Sequence, residues 1–270
     1  MKRVLFALAC FLIIAGVSSS KIIEIPEAGA RMNLMIMGSE APAAAGGGYS
    51  CSGDFSSGAM ESFEASEGSF CTSDWTESDG SGVVSTYDTA EPFCESHNLK
   101  ISADSSDGGD DIIYADMGSE VDGYYIRFVI MNLPDVSGDD YYFFHMQNGT
   151  TPNATSNLSL RLTAGEYLRL KSGSINSGNN FELTAGNDYL IEVNFDNSGG
   201  THSLRVWGTP AGGWDVVNHD GAGSTATVSD NTYDFRYILF SNFLASSSAT
   251  LYIDDVQLST SDWLGALTCP

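Results

Sequence analysis

The chain has 270 residues, and its 35 Asp and Glu residues far outnumber its 11 Lys and Arg residues, which gives a formal net charge of −24 at pH 7. This excess of negative charge argues against nucleic acid and anionic membrane surfaces as partners, because both would repel the protein. It favours bound cations or a saline habitat, and the absence of long blocks of like charge argues against a disordered acidic tail.

Residues 1–20 have the pattern of a secretory signal peptide. Lys2 and Arg3 form a basic start, residues 4–17 form an apolar run, and small residues at 18–20 offer a cleavage site. The run is shorter than the roughly 20 residues of a membrane span, so we favour cleavage over the alternative of a retained membrane anchor. The mature chain is predicted to be secreted and to have no membrane attachment after cleavage. Its destination is the extracellular space, the cell surface or the periplasm.

Residues 21–58 are predicted to form an extended arm and a linker. Residues 21–37 contain two short apolar pieces around Pro26, and the stretch that follows is rich in Gly and Ala, as flexible linkers are. A strand-like arm on a linker can add to the sheet edge of a neighbouring molecule, which suggests self-assembly into an extracellular fibre or filament, sheath or surface layer. The alternative is a tail that packs on its own domain, which occupies residues 59–270.

Four cysteines remain after the signal peptide, an even number that predicts two disulfides in an exported chain. Three connectivities can be drawn. We favour a local bond between Cys71 and Cys94, which leaves Cys51 and Cys269 to tie the start of the domain to its end. The alternative, free buried thiols, is less expected outside the cell.

From residue 59 onward the ordered segments are predicted to be β-strands. Short runs rich in β-branched and aromatic residues recur between turn residues, and no stretch shows a sustained helical period. The main runs are SGVVSTYD, HNLKIS, DIIYADM, GYYIRFVIM, DYYFFHMQ, NLSLRL, EYLRLKS, DYLIEVNFD, HSLRVWG, FRYILFSN and ATLYIDDVQL. About a dozen strands with tight turns predict an all-β fold, an antiparallel two-sheet jelly-roll β-sandwich with an N-terminal extended arm.

The alternation of apolar and polar residues assigns each strand an inward and an outward side, because successive side chains of a strand point to opposite faces. The inward side is predicted to form the core between the sheets. The residues assigned to it are Ile126, Phe128, Ile130, Leu158, Leu160, Leu162, Leu168, Leu170, Ile191, Val193, Phe195, Leu204 and Val206.

The outward sides of the central strands carry most of the scarce positive charge, together with aromatic rings. If these side chains share the outer face of one sheet, that face can bind a glycan, since rings stack on sugars and Arg donates to hydroxyls and carboxylates. An acidic polysaccharide with uronate or sulfate groups is the predicted ligand. The alternative is a ladder of cross-strand ion pairs with Glu166, Glu182 and Glu192. The predicted ligand-binding residues are Tyr125, Arg127, Arg161, Tyr167, Arg169, Lys171, Arg205 and Trp207.

The last predicted strand has an irregular spacing at two acidic residues. Ile253 and Val256 are apolar but three positions apart, so strict alternation slips by one residue, which predicts a β-bulge at Asp254 and Asp255. A bulge turns acidic side chains or carbonyls out of the regular pleat and can supply the oxygen ligands that Ca²⁺ prefers.

The motif FE…W…NLKI near the start of the domain and LYIDDVQL near its end resemble the concanavalin A-like superfamily, with its laminin G-like and MAM-like domains and calcium-bearing carbohydrate-binding modules. The resemblance covers roughly residues 60–265, and the matching positions are Phe63, Glu64, Trp75, Leu99, Ile101 and Tyr252 to Val256. It implies a structural Ca²⁺ site held by an early Glu and a late Asp. The residues matched to that site are Glu64 and Asp255, followed by Glu61 and Asp254. The alternative is that these acids are solvated residues at strand ends.

The sequence shows no recognisable catalytic apparatus. Laminarinase-like jelly rolls carry an E-x-D-x-x-E strand, and the nearest segment here has Asn194 in the middle and lacks the last Glu. A lyase would need a base such as His or Tyr beside an Arg. His145, Tyr141 and Arg127 are the residues that could form such a group. We therefore rank a secreted, non-catalytic carbohydrate-binding or adhesive module first, a self-assembling structural subunit second, and a polysaccharide lyase or glycoside hydrolase third.

Overall fold

The computed structural model describes residues 60–61, 75–78, 84–88, 93, 98–102, 112–136, 140–151, 158–208, 213–230, 232–233, 235–244 and 250–266. All of them belong to one compact unit that spans Gly47–Pro270. The proposed signal peptide, arm and linker lie outside the described residues, so these segments and the domain boundary at residue 59 remain predictions. Every cysteine, Glu64 and the side chain of Glu61 also lie outside the described residues. The two disulfides and the role of these two acids as Ca²⁺ ligands therefore remain predictions.

The described residues form seventeen β-strands and no helix. They therefore contain no helix that is long and apolar enough to cross a membrane. The strands, numbered in chain order, are β1 (Met60–Glu61), β2 (Thr76–Ser78), β3 (Val84–Asp88), β4 (Asn98–Ser102), β5 (Ile112–Val121), β6 (Tyr124–Met131), β7 (Tyr141–Gln147), β8 (Leu158–Leu162), β9 (Tyr167–Ser172), β10 (Ile175–Asn176), β11 (Phe181–Glu182), β12 (Tyr189–Phe195), β13 (His202–Gly208), β14 (Asp215–Val216), β15 (Ala226–Val228), β16 (Phe235–Leu244) and β17 (Thr250–Ser259).

The strands form two antiparallel sheets that pack as a β-sandwich, which confirms the predicted fold class. The nine-stranded sheet has the order β14-β13-β12-β6-β17-β4-β3, with β1 paired to β17 and β15 paired to β13. The eight-stranded sheet has the order β10-β9-β8-β7-β16-β5-β2, with β11 paired to β9. Strands β6 and β7 are adjacent in sequence but lie in different sheets, so the chain passes from one sheet to the other between them.

The core lies between the two sheets, and the alternation in the sequence predicted its members correctly. All thirteen residues assigned to the inward side belong to one buried apolar cluster. At its centre Phe128 of β6 faces the opposite sheet, where its ring lies 5.1 Å from that of Phe144 and 5.0 Å from that of Phe240. Burial of these large apolar surfaces is the main force that holds the sheets together.

The predicted bulge in β17 is present. The register of β17 on β6 shifts between Asp254 and Gln257, so two residues of β17 stand opposite one residue of β6. Asp255 has a positive φ of 49°, in the left-handed region that side chains rarely adopt. Because of the extra residue, Ile253 and Val256 both point into the core and are fully buried.

Candidate functional site

The eight residues predicted to bind a ligand are divided between the two sheets. Since the inner sides of both sheets form the core, their outer sides face away from each other, and the structure does not assemble the expected single ligand face. Alternation along a strand assigns a side chain to a side but says nothing about which sheet the strand joins. The nine-stranded sheet carries Tyr125, Arg127, Arg205 and Trp207. The eight-stranded sheet carries Arg161, Tyr167, Arg169 and Lys171.

On the outer side of the nine-stranded sheet, two arginines flank a buried carboxylate. Glu192 of β12 stands in register between Arg127 of β6 and Arg205 of β13, and its side chain is fully buried. Burial raises the pKa of Glu192, although hydrogen bonds and both arginines oppose that shift. Burial also lowers the pKa of Arg127, which the charge of Glu192 opposes. The charges of both arginines act on Glu192, although no ion pair within the described structure joins it to either of them.

Residues 263–265, which we call the C-terminal strap, cross this charged row. The backbone N–H groups of Leu264 and Gly265 donate hydrogen bonds to the Glu192 carboxylate. In return, the guanidinium of Arg127 donates to the carbonyl oxygen of Gly265 at 2.9 Å. The chain thus uses its own backbone to occupy the polar groups that a ligand would need here.

Aromatic side chains make further contacts on this side of the sandwich. The ring of Trp263 lies 4.1 Å from the guanidinium carbon of Arg205 and 5.2 Å from the ring of Tyr125. Trp207 is buried in an outer apolar cluster rather than presented to solvent. That cluster consists of Val129, Met131, Leu190 and Trp207, with Phe93, Trp214 and Tyr252 packed against it.

The other four predicted ligand residues form a continuous patch on the outer side of the eight-stranded sheet. Tyr142 of β7, Arg161 of β8 and Arg169 of β9 occupy one row of register across three neighbouring strands. Tyr167 and Lys171 lie two residues before and after Arg169 on β9, so they share its side of the strand. We call these five residues the cationic face.

Tyr142, on β7 at one end of the row, was not predicted from the sequence. Its ring lies 5.9 Å from the guanidinium carbon of Arg161 and 5.3 Å from Nζ of Lys171, within the range of cation–π attraction. Arg161 also forms an ion pair with Asp140. Burial raises the pKa of Tyr142. The register of β7 on β8 shifts between Tyr142 and Phe144. The alternation of apolar and polar residues along β7 therefore does not show which of its side chains point outward.

His145, the candidate catalytic base, lies beside the cationic face but below its surface. It is almost fully buried, and its Nε2 is 3.1 Å from Oγ of Ser241. Burial, with a smaller contribution from the charge of Lys171, lowers the pKa of His145 to about 3, so the ring is neutral at physiological pH. The structure does not assemble the suggested lyase trio, because Tyr141 points into the core and Arg127 belongs to the other sheet.

Buried oxygen atoms gather at the bulge of β17. Asp254 and Asp255 are 1% and 2% exposed. The Asp254 carboxylate accepts hydrogen bonds from the backbone N–H groups of Phe93, at 3.0 Å, and of Asp255, at 2.9 Å. The pairing of β4 with β17 ends at Leu99 and Ile253, and Asn98 and Asp254 are the next residues of the two strands. The buried side-chain amide of Asn98 has no hydrogen-bond partner in the described structure.

These residues are compatible with a cation but do not complete a site. No group of three His, Cys, Asp or Glu side chains within the described ranges could hold a metal ion by itself. Glu61 pairs through its backbone with Val256, next to Asp255. The side chains of Glu61 and Glu64, the other two predicted ligands, lie outside the described residues. Their contribution to the site remains a prediction.

Comparison with known proteins supports the fold and leaves the family open. No protein-family model and no curated protein matches this chain. The cellulose-induced protein Cip1 is similar in structure over 77% of this chain and all of its own, with a TM-score of 0.55 and 13% sequence identity. A structure from work on endo-acting O-glycanases of the human gut microbiota, which initiate mucin breakdown, covers 75% of this chain and 98% of its own, with a TM-score of 0.50 and 12% identity. At these identities the likeness shows a common β-sandwich architecture and nothing finer.

Proposed function

We propose that this chain is a secreted, non-catalytic, lectin-like module that binds a glycan on its cationic face. The observation that carries the proposal is the row of Tyr142, Arg161 and Arg169 across three neighbouring strands on an outer side of the sandwich. A tyrosine ring offers a flat apolar surface for a sugar ring, and the arginines offer several hydrogen-bond donors to sugar hydroxyls or acidic groups.

The dimensions and accessibility of the cationic face suit an extended ligand. Tyr167 is 36% exposed, and Tyr142 is partly exposed, so a ligand can reach both rings. From Tyr167 to Lys171 the face follows β9 for about 13 Å, at about 3.3 Å per residue. We propose binding rather than a reaction, since the nearest candidate base, His145, is buried and hydrogen-bonds to Ser241. Both similar proteins are named in connection with carbohydrates, which agrees with a glycan ligand.

Replacing Tyr142 by Ala is expected to weaken glycan binding about tenfold, the factor that corresponds to about 1.4 kcal/mol. The variant loses the ring that lies between the cations of Arg161 and Lys171. A glycan array at low salt identifies the ligand, and calorimetric titration of that glycan into both proteins measures the change.

Tyr114→Ala is the matched control, because Tyr114 lies on β5 of the same sheet, outside the cationic face, and contacts Tyr237 at 5.7 Å. We expect this variant to bind the glycan as the wild type does. Absence of any glycan binding at low salt with calcium present would overturn the proposal. Release of new reducing or unsaturated ends from the polysaccharide would instead favour the enzyme alternative.

We also propose that Ca²⁺ binds at the bulge of β17 and stabilises the sandwich. The buried carboxylate of Asp255 and the unpartnered amide oxygen of Asn98 are hard oxygen donors of the kind that Ca²⁺ takes. Asp254 is already bound to two backbone N–H groups, which would hold it in place beside the ion. Glu64, followed by Glu61, is the proposed ligand from the early part of the domain.

Calcium is therefore expected to raise the midpoint temperature of unfolding. At a calcium concentration of 100 times its Kd, the free energy of unfolding should increase by about 2.7 kcal/mol. The measurement is thermal unfolding in calcium and in EDTA. Asp255→Asn should lose most of the calcium-dependent shift, since a neutral amide replaces a buried charge. Asp215→Asn, at an exposed position on β14, should keep it. Identical unfolding curves in calcium and in EDTA would disprove the calcium site.

A further inference from the structure

Three cations of the cationic face, Arg161, Arg169 and Lys171, lie close together on the neighbouring strands β8 and β9. Arg161 and Arg169 are directly opposite each other on β8 and β9, an arrangement that destabilises a sheet when nothing neutralises it. Lys171 lies on the same side of β9, two residues from Arg169. The whole chain has only 11 Lys and Arg residues, so three at one place form a clear exception to its acidic surface.

The described carboxylates near this patch include Asp140 and Glu182. Asp140 is bound to Arg161. Glu182 stands opposite Tyr167 at the edge of the face. Within the described structure Arg169 forms neither a hydrogen bond nor an ion pair, and its Nε is buried without a partner. Its guanidinium is thus a donor group that the fold leaves available.

The electrostatic environment of Lys171 agrees with an excess of positive charge at this place. Burial lowers the pKa of Lys171 most, the charge of Arg161 lowers it further, and Asp140 only partly opposes both effects. A bound anion would act in the opposite direction, because it would stabilise the protonated amine.

We infer that the cationic face recognises an anionic substituent of its glycan, a uronate carboxylate or a sulfate ester, through Arg169 with Lys171 beside it. The planar guanidinium of Arg169 matches two oxygens of either group, whereas the amine of Lys171 contributes a point charge. Tyr142 and Tyr167 then lie beside the sugar rings that carry the substituent. The inference rests on the proposed function, since it names the class of glycan that the same face binds.

The test compares three polymers by calorimetric titration: polygalacturonate, a sulfated galactan and a neutral galactan. We expect at least one acidic polymer to bind about tenfold more tightly than the neutral one, with an affinity that falls as salt rises. Whichever acidic polymer binds more tightly identifies the substituent as carboxylate or sulfate. Arg169→Gln should lower the affinity for that acidic polymer about tenfold and so remove most of its preference over the neutral galactan.

Arg236→Gln provides the matched control, since it removes the same charge from β16 of the same sheet, where Arg236 is already paired with Asp116. It should keep the preference for the acidic polymer. Equal binding of acidic and neutral polymers by the wild type would overturn the inference and leave the proposed function standing, whereas binding of no glycan at all would overturn both. An equal loss in the Arg169 and Arg236 variants would also overturn it, because the effect would then be diffuse charge.

Discussion

Replacing Glu192 by Ala is expected to lower the free energy of unfolding by about 3 to 5 kcal/mol, because it leaves the buried charge of Arg127 without the opposing charge that acts on it. The substitution leaves Arg127, which is only 3% exposed, without the carboxylate in register with it. It also removes the acceptor for the two backbone N–H groups of the C-terminal strap. Urea unfolding monitored by tryptophan fluorescence measures the loss.

The double variant Glu192→Leu, Arg127→Met separates charge pairing from packing. It removes both buried charges and keeps much of the apolar volume, so it should be more stable than Glu192→Ala. A Glu192→Ala protein that unfolds at the same urea concentration as the wild type would show that the strap and the charged row do not contribute to stability.

The contribution of Glu192 to stability depends on pH in a direction that follows from its raised pKa. Burial raises the pKa of Glu192 in the folded state, so between its ordinary pKa and the raised pKa the folded protein binds the proton more tightly than the unfolded chain. The contribution of Glu192 to stability is therefore greatest at low pH and falls as the pH rises through that interval. The difference in stability between wild type and Glu192→Gln should vary with pH there and stay constant above it.

Replacing Phe128 by Ala is expected to destabilise the sandwich by about 3 to 5 kcal/mol, because it opens a cavity in the centre of the core. Phe128 is fully buried and touches the rings of Phe144 and Phe240 from the opposite sheet. Phe128→Leu keeps more of the volume and should cost less than half as much. Thermal unfolding of both variants provides the measurement, and equal losses would contradict the cavity argument.

The side on which each side chain lies could be predicted from the sequence, because it depends only on the two-residue period of a strand. The inward assignments of Ile126, Leu160 and Val206 are examples, and all three are fully buried. The bulge could also be predicted, since the spacing of Ile253 and Val256 breaks that period. These features are local, and each needs only a few neighbouring residues.

The partition of strands between the sheets could not be predicted in this way. Arg127 and Arg161 have the same outward pattern, yet they lie on opposite outer sides of the sandwich. Pairing depends on contacts between residues far apart in sequence, and a single sequence carries no local trace of them. The covering of Arg127 by Gly265 is another such long-range contact.

The bulge of β17 also affects how this strand tolerates changes in length. Deleting one residue from a regular strand turns every later side chain to the other side of the sheet. Deleting Asp255 would instead remove the extra residue of the bulge, and Ile253, Val256 and Leu258 would still alternate toward the core. The two sheets can therefore be built without Asp255, so this residue can be removed to test the proposed Ca²⁺ site without changing the register of the strands.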